Sequence, residues 1–185
     1  MSLSAFAAPK PVKIARLPVI FAGGNPDYDT CVVLETKIAR AVHVPLNGTL
    51  KLVEYLDAKK SAKELNIIWQ NMRAENKKTK LKDTMRPLAK KINADIVVCP
   101  VLLQYNQMSL PFVGADYETK LTSSAAAELI VYDSRTDELI DKKTSRFFDG
   151  SANTFGTASY LAKECFDRVI DKTGVRRKIT AIRGE

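Results

Sequence analysis

Residues 117–148, which read YETKLTSSAAAELIVYDSRTDELIDKKTSRFF, decide the fold class of this chain. Between residues 117 and 132, small or apolar side chains alternate with polar ones. One side of this segment carries Leu121, Ser123, Ala125, Ala127, Leu129 and Val131. Such an alternation is typical of a β-strand with one buried face. Turn-forming residues at 133–137 and a returning segment at 139–148 then predict a long antiparallel hairpin.

Other strands are expected where the chain is continuously apolar. Residues 13–21 predict the first strand, whose continuously apolar later half is expected to be buried on both faces. Residues 96–103, the most apolar segment, predict a central strand. Pro100 lies inside the central strand and has no N–H for a ladder, so we expect a bulge or a strand end near it. Residues 50–55 predict a further short strand.

Helical patterns lie between these strands. Asn25 and Pro26 suit the cap and the first position of one helix. The capping-box sequence that begins at Ser61 predicts the start of a second helix. A third pattern contains Pro87, which predicts a kink or a break. A wide apolar stripe over residues 158–170 predicts the last helix, which Gly174 ends.

These elements together predict one domain of the α/β (α+β) class. We expect a mixed sheet of about five strands, including the long hairpin, packed by about four helices. The predicted domain spans residues 12–174, and residues 175–185 are expected to form a basic, peripheral tail.

The first residues favour export. Ala5 and Ala7 form the A-x-A arrangement that signal peptidase recognises, so residues 1–11 are interpreted as a signal-peptide remnant and an extended lead-in. We therefore expect a bacterial protein that is exported through a cleaved signal peptide and is periplasmic or otherwise extracytoplasmic. No cysteine stands at the expected cleavage point, which favours a free protein over a lipoprotein.

The charge of the chain favours anionic partners. It has 29 Lys and Arg residues against 21 Asp and Glu residues, a formal net charge of +8. An anionic envelope polymer or a lipid headgroup surface would suit this excess, although a solvated basic surface also explains it. No nucleic-acid partner is predicted, because no recognition motif accompanies the charge. No apolar run reaches the roughly 20 residues of a transmembrane segment. The candidate anion contacts are Lys77, Lys78, Lys80, Lys82, Lys90 and Lys91.

No catalytic, cofactor-binding or metal-binding residue is predicted. His43 is the single histidine, and its place near the end of a predicted helix favours a packing or dipole role over that of a base. Cys31, Cys99 and Cys165 lack the spacing of a zinc or redox site. We expect buried thiols, and a disulfide between two of them remains open. The chain is therefore predicted not to be an enzyme and to need no cofactor.

An apolar segment at residues 107–114 is predicted to be a loop between two strands. Loops usually run over the surface and are polar, so its large side chains either pack onto the body or meet a partner. The candidate partner contacts are Met108, Leu110, Phe112 and Val113.

Four segments carry a resemblance to a known family. They are LPVIF at residues 17–21, NADIVVCPVLL at 93–103, AAELIVYDSRTDELI at 126–140 and ASYLAKECFDRVI at 158–170. Their order resembles the envelope domain of the curli-secretion CsgG family and the amino-terminal domain of TolB. Two features depart from that pattern. Asp137 stands where the family usually has glycine, and the lipid-attachment cysteine that is common there is absent.

The resemblance implies a role rather than a chemistry. Proteins of this kind mostly act as accessory parts of envelope machines through protein contacts. We therefore expect a non-enzymatic exported protein that serves as a protein-interaction or accessory module of a cell-envelope assembly. Its partner would be another envelope protein or a second copy of the chain. The alternative is a basic module that binds an anionic envelope polymer or a lipid headgroup surface.

Overall fold

A mixed β-sheet runs through the molecule, with helices on both of its faces. The computed structural model describes residues 10–45, 47, 51–111 and 119–182. Its strands are β1 (Val12–Arg16), β2 (Ile20–Phe21), β3 (Val53–Tyr55), β4 (Ile96–Pro111), β5 (Thr119–Asp133) and β6 (Glu138–Ser151). Its helices are α1 (Tyr28–Ala41), α2 (Ala58–Glu75), α3 (Met85–Ile92), α4 (Ala158–Thr173) and α5 (Val175–Ala181). Short 3₁₀ turns at Leu81–Thr84 and Thr154–Gly156 precede α3 and α4.

The order of strands across the sheet is β3-β1-β4-β5-β6, and β2 also lies beside β4. The contacts of β1 with β3, and of β1 and β2 with β4, are parallel. The contacts of β5 with β4 and with β6 are antiparallel. The α/β class, the mixed sheet and the single domain are thus confirmed, with six strands and five helices among the described residues.

The predicted first strand is wrong in one respect, because residues 13–21 form two strands. Pro18 lies in the interruption, and Pro100 of β4 lies opposite it, between the residues paired with β1 and those paired with β2. Neither proline has an N–H for the ladder. Glu35 of α1 compensates here, since its carboxylate accepts from the Val19 N–H at 2.6 Å and from Arg16 at 3.1 Å.

The core has two layers, one on each face of the sheet. On one face, α1, α4 and α5 cover alternate residues of the strands, among them Ile96 and Val98. On the other face, α2 and α3 cover the intervening residues, such as Val97 and Cys99. β4 is therefore buried on both faces over this part of its length, which fits its continuously apolar sequence.

Acidic caps, rather than the predicted ones, begin the first two helices. Asp27, not Asn25, caps α1 and accepts from the Thr30 N–H at 2.8 Å. Asp57, not Ser61, caps α2 and accepts from the Lys60 N–H at 2.6 Å. A carboxylate satisfies an orphan donor and also interacts favourably with the positive end of the helix dipole, which the neutral side chains do not.

The predicted interruption of the third helical pattern occurs just before Pro87. The chain passes from the 3₁₀ turn into α3 at Met85, which leaves Pro87 in the first turn of the helix. A missing N–H costs little at that place, because the first N–H groups of a helix have no intrahelical acceptor.

The expectation of a peripheral carboxy-terminal tail is wrong for residues 175–181. They form α5, and Val175 and Ile179 are buried in the same core layer as α4. Gly174 does end α4, in a left-handed conformation, but it also connects α4 directly to α5. Residues 1–9 and 183–185 lie outside the described residues.

The hydrogen bonds of Glu35 predict a specific cost of mutation. Glu35→Ala leaves the Val19 N–H without its acceptor at a nearly buried position, so the free energy of unfolding should fall by about 1–3 kcal/mol. Urea unfolding followed by circular dichroism measures it. The matched control is Glu64→Ala, on α2, which makes no ion pair with the described residues. An equal, small effect of both changes would contradict this role for Glu35.

Candidate functional site

The apolar loop predicted at residues 107–114 is a strand as far as Pro111. Residues 107–111 belong to β4 and pair in register with β5, from Gln107 opposite Ser123 to Pro111 opposite Thr119. Met108 and Leu110 are thus strand residues, which corrects the prediction. Phe112 and Val113 lie outside the described residues.

A one-residue bulge decides which way Met108 and Leu110 face. The register of β4 against β5 shifts between Leu102 and Gln104, so that Leu103 is the extra residue. Before the bulge, even-numbered residues of β4 face α1 and α4, whereas after it Tyr105 takes that side. Met108 and Leu110 therefore lie on the opposite face, where they are 54% and 50% exposed. A bulge near Pro100 is confirmed, three residues further along the chain.

We call this region the open sheet face. It is the side of residues 104–111, 119–126 and 145–151 that points away from α4, and no described helix covers it. Phe147 of β6 lies on it and is 69% exposed. Phe147 pairs with Ser124, whose other partner is Asn106, two residues before Met108. One strand thus separates Phe147 from the apolar residues of β4.

Sequence reasoning missed Phe147, although its signal is present. Phe147 and Phe148 are adjacent in a strand, so they must face opposite ways. Phe148 packs against the core layer below α4. Its neighbour is therefore directed to solvent, as the structure shows.

Polar side chains separate the exposed apolar residues. Gln104 donates to Ser124 at 2.9 Å across β4 and β5. Asp149 accepts from Thr122 at 2.8 Å and lies 3.2 Å from the Lys120 ammonium group. The hydrogen bond from Thr122 has the largest lowering effect on the pKa of Asp149, and the hydrogen bond from Lys120 lowers it further. The open sheet face therefore presents apolar side chains with hydrogen-bonded polar groups between them.

The six candidate lysines lie on and between α2 and α3. Lys77, Lys78 and Lys80 occupy the exposed connection after α2, and Lys90 and Lys91 are exposed in the last turn of α3. None of these five forms an ion pair with a described residue. Lys82 differs, since its ammonium group lies 3.4 Å from Asp141. The structure therefore places three free lysines together in one connection and two on a separate surface.

An apolar cleft lies between α2 and the sheet, close to that connection. Its volume is about 580 Å³, within the range of small-molecule sites. The residues that line it include Leu17, Ile20, Leu65, Trp69, Leu81 and Leu103. Leu81 directly follows Lys80 in the chain. The cleft was not predicted, because it depends on how α2 packs beside the broken strand β1–β2.

Glu128 lies at one end of the cleft. Its side chain is nearly buried, and its carboxyl group lies 3.0 Å from the ammonium group of Lys143. Burial raises the pKa of Glu128, and neighbouring Asp141 raises it further, against the lowering effect of Lys143. One carboxylate oxygen of Asp141 is buried without a hydrogen-bond partner among the described residues.

The structure brings together no catalytic constellation from the residues considered above. His43 is exposed after α1. All three cysteines are free thiols, and Cys99 and Cys165 are buried. Burial raises the pKa of both thiols, which disfavours the reactive thiolate. Within residues 10–45, 47, 51–111 and 119–182, no group of three metal-ligating side chains is found.

Comparison with known proteins gives weak structural similarities. No protein-family model matches the sequence, and no curated protein matches it. Lipoprotein GNA1162 from Neisseria meningitidis is 14% identical with a TM-score of 0.38, over 89% of this chain and 99% of that one. The hypothetical protein CT253 from Chlamydia trachomatis is 14% identical with a TM-score of 0.42, over 93% and 99%. The PelC dodecamer from Paraburkholderia phytofirmans is 15% identical with a TM-score of 0.40, over 90% and 88%.

These similarities do not assign the chain to a family. At such TM-scores they transfer neither an activity nor a partner. Bacterial lipoproteins are nevertheless among the structures that this chain is similar to. Among the helices that the structure describes, none is long and apolar enough to cross a membrane.

The raised pKa of Glu128 predicts a pH effect on stability. Above the ordinary glutamate pKa of 4.5, the unfolded chain releases this proton before the folded protein does. The unfolded state then binds fewer protons, so this group's contribution to the free energy of unfolding falls as the pH rises through that window. Glu128→Gln does not titrate. The difference in unfolding free energy, wild type minus Glu128→Gln, should therefore fall from pH 4 to pH 7. Urea unfolding measures it, and a rising difference would contradict the direction.

Proposed function

We propose that this protein is a non-enzymatic protein-interaction module of a bacterial cell-envelope assembly and that it binds its partner through the open sheet face. The observation that carries the proposal is the joint exposure of Met108, Leu110 and Phe147 on a face that no described helix covers. The envelope location is supported by the A-x-A sequence at the amino terminus and by the resemblance to envelope domains.

The open sheet face differs in composition from an ordinary solvated strand surface. Single exposed apolar residues are common on proteins and need no explanation. Here, three large apolar side chains lie on one face of three adjoining strands. Methionine and aromatic residues are enriched in protein interfaces. Thr122 and Ser124, on the central strand of the three, lie between Phe147 and the apolar residues of β4.

The other face of the same strands has a structural role. Partner binding and stability therefore involve opposite faces of these strands. Leu121 and Ala125 are buried there, Ala125 in the core layer of α4, and Gln107 accepts from the Ala158 N–H at 2.8 Å, at the start of that helix. Mutations on the open side should therefore spare the fold. This separation makes the proposal testable with stable variants.

A second candidate function is supported by a different observation. Lys77, Lys78 and Lys80 are exposed in one connection, and their ammonium groups form no ion pair with a described residue. Exposed, unpaired lysines attract anionic surfaces, so the chain would bind an anionic envelope polymer or lipid headgroups through this connection.

The open sheet face can be tested by site-specific photo-crosslinking in cells of the source bacterium. A photoreactive residue at position 110 or 147 should give discrete crosslinked products, because both side chains would contact the partner. The same residue at position 32 or 67 provides the matched control, since Val32 and Ile67 are also exposed apolar residues but lie on α1 and α2. Mass spectrometry then distinguishes a second copy from another envelope protein.

A serine variant completes this test. The combined change Met108→Ser, Leu110→Ser and Phe147→Ser should remove the crosslinks from a fourth site on the same face, position 106. Its Tm should remain within a few degrees of the wild-type value, because surface changes away from the core alter stability by about 0.5 kcal/mol or less. Two results would contradict the proposal. One is equal crosslinking from the control positions and from positions 110 and 147, and the other is unchanged crosslinking from position 106 in the serine variant.

A further inference from the structure

We propose that the cleft between α2 and the sheet binds the acyl chain of an anionic single-chain lipid, whose headgroup contacts Lys77, Lys78 and Lys80. The proposal sharpens the second candidate function above, on which its headgroup contact rests. It is independent of the open sheet face.

The packing of α2 leaves room for such a chain. Over its 18 residues this helix buries only Ser61 and Leu65, although Trp69 and the half-buried Ile68 lie on the same side. Leu17 and Ile20, at the break between β1 and β2, form part of the opposite wall. The cleft of about 580 Å³ between them is lined mainly by aliphatic side chains. An apolar occupant would remove this surface from water, which is favourable in proportion to the area covered.

The charges at one end of the cleft select the headgroup. Glu128 and Leu81 line both the cleft and an adjoining cavity of about 290 Å³. The charged residues around that cavity are Lys80, Lys82, Lys143, Glu128 and Asp141. Lys82 and Lys143 each pair with one of the two carboxylates. The ammonium group of Lys80 forms no ion pair with a described residue, while Asp83 accepts from the Lys80 backbone N–H at 2.8 Å.

Further cations are close in the chain to residues that line the cleft. Lys77 and Lys78 are exposed in the same connection as Lys80. Arg73, one turn after Trp69 on α2, stacks on the indole ring at 5.3 Å from its centre. The polar end of the cleft is therefore positive, so a carboxylate or phosphate headgroup is favoured and a quaternary ammonium group is disfavoured. This complementarity selects an anionic amphiphile over a cationic one.

Trp69 provides a direct measurement, because it is the only tryptophan of the chain and lines the cleft. Dodecanoate, added below its micelle concentration, should change the fluorescence of Trp69 with a saturable dependence. Dodecyltrimethylammonium has the same chain length and the opposite charge. It should bind more weakly by about tenfold or more, since the lysines attract a carboxylate headgroup and repel a quaternary ammonium group.

Two pairs of variants separate the acyl chain from the headgroup. Ala62→Phe fills the cleft and should abolish the dodecanoate signal, whereas Ala74→Phe, on the exposed side of α2, should not. Changing Lys77, Lys78 and Lys80 together to glutamate should weaken dodecanoate binding by about tenfold or more. The same charge change at Lys59, Lys60 and Lys63, near the start of α2, should have less than about a twofold effect. Thermal unfolding of each variant verifies that it is folded.

Three outcomes would overturn the proposal. They are equal binding of dodecanoate and dodecyltrimethylammonium, unchanged dodecanoate binding in Ala62→Phe, and an equal effect of the two lysine variants. Cosedimentation with phosphatidylglycerol vesicles tests the second candidate function separately. If the wild type binds these vesicles but not dodecanoate, the cleft proposal is wrong and the second function stands. If the wild type binds dodecanoate but not vesicles, the second function is wrong and a free anionic lipid is the ligand.

Discussion

The antiparallel ladder between β4 and β5 connects the two halves of this molecule. β4 receives β1 and β2 in parallel on one side and β5 in antiparallel on the other, so every other strand is attached through this pair. The ladder continues from Ile96 opposite Asp133 to Pro111 opposite Thr119 and contains one bulge, at Leu103. That extra residue reverses which face of the sheet each later side chain of β4 points to. Both the buried core and the open sheet face depend on its position.

Stability and function are assigned to different parts of the same sheet. Between Ile96 and Leu102 both faces of β4 are covered by helices, and this half contains most of the core. Beyond the bulge only the α4 side is covered. The open sheet face lies where no described helix covers the second face, and the cleft lies where α2 packs incompletely against it. The open sheet face therefore uses surface that the fold does not need for its own stability.

Much of the fold could be predicted, because local patterns determine it. The period-two alternation of residues 117–132 and the turn at 133–137 predict the hairpin, and the stripe at 158–170 predicts α4. The site was predicted less well. Met108 and Leu110 were predicted to lie in a loop between two strands, but they belong to β4. Phe147 was missed and the cleft was not foreseen. The face of the sheet to which a side chain points, and the space between a helix and the sheet, depend on more than one segment of the chain.

The sequence by itself determined the class of the fold and the presence of the long hairpin, since these follow from periodicity and residue type. Only the tertiary structure decided that the predicted first strand is broken at Pro18 opposite Pro100 and that the carboxy-terminal residues 175–181 pack as a helix. It also decided that Met108, Leu110 and Phe147 share one face. The physical reason is that register, bulge position and helix packing are set by contacts between residues far apart in the chain.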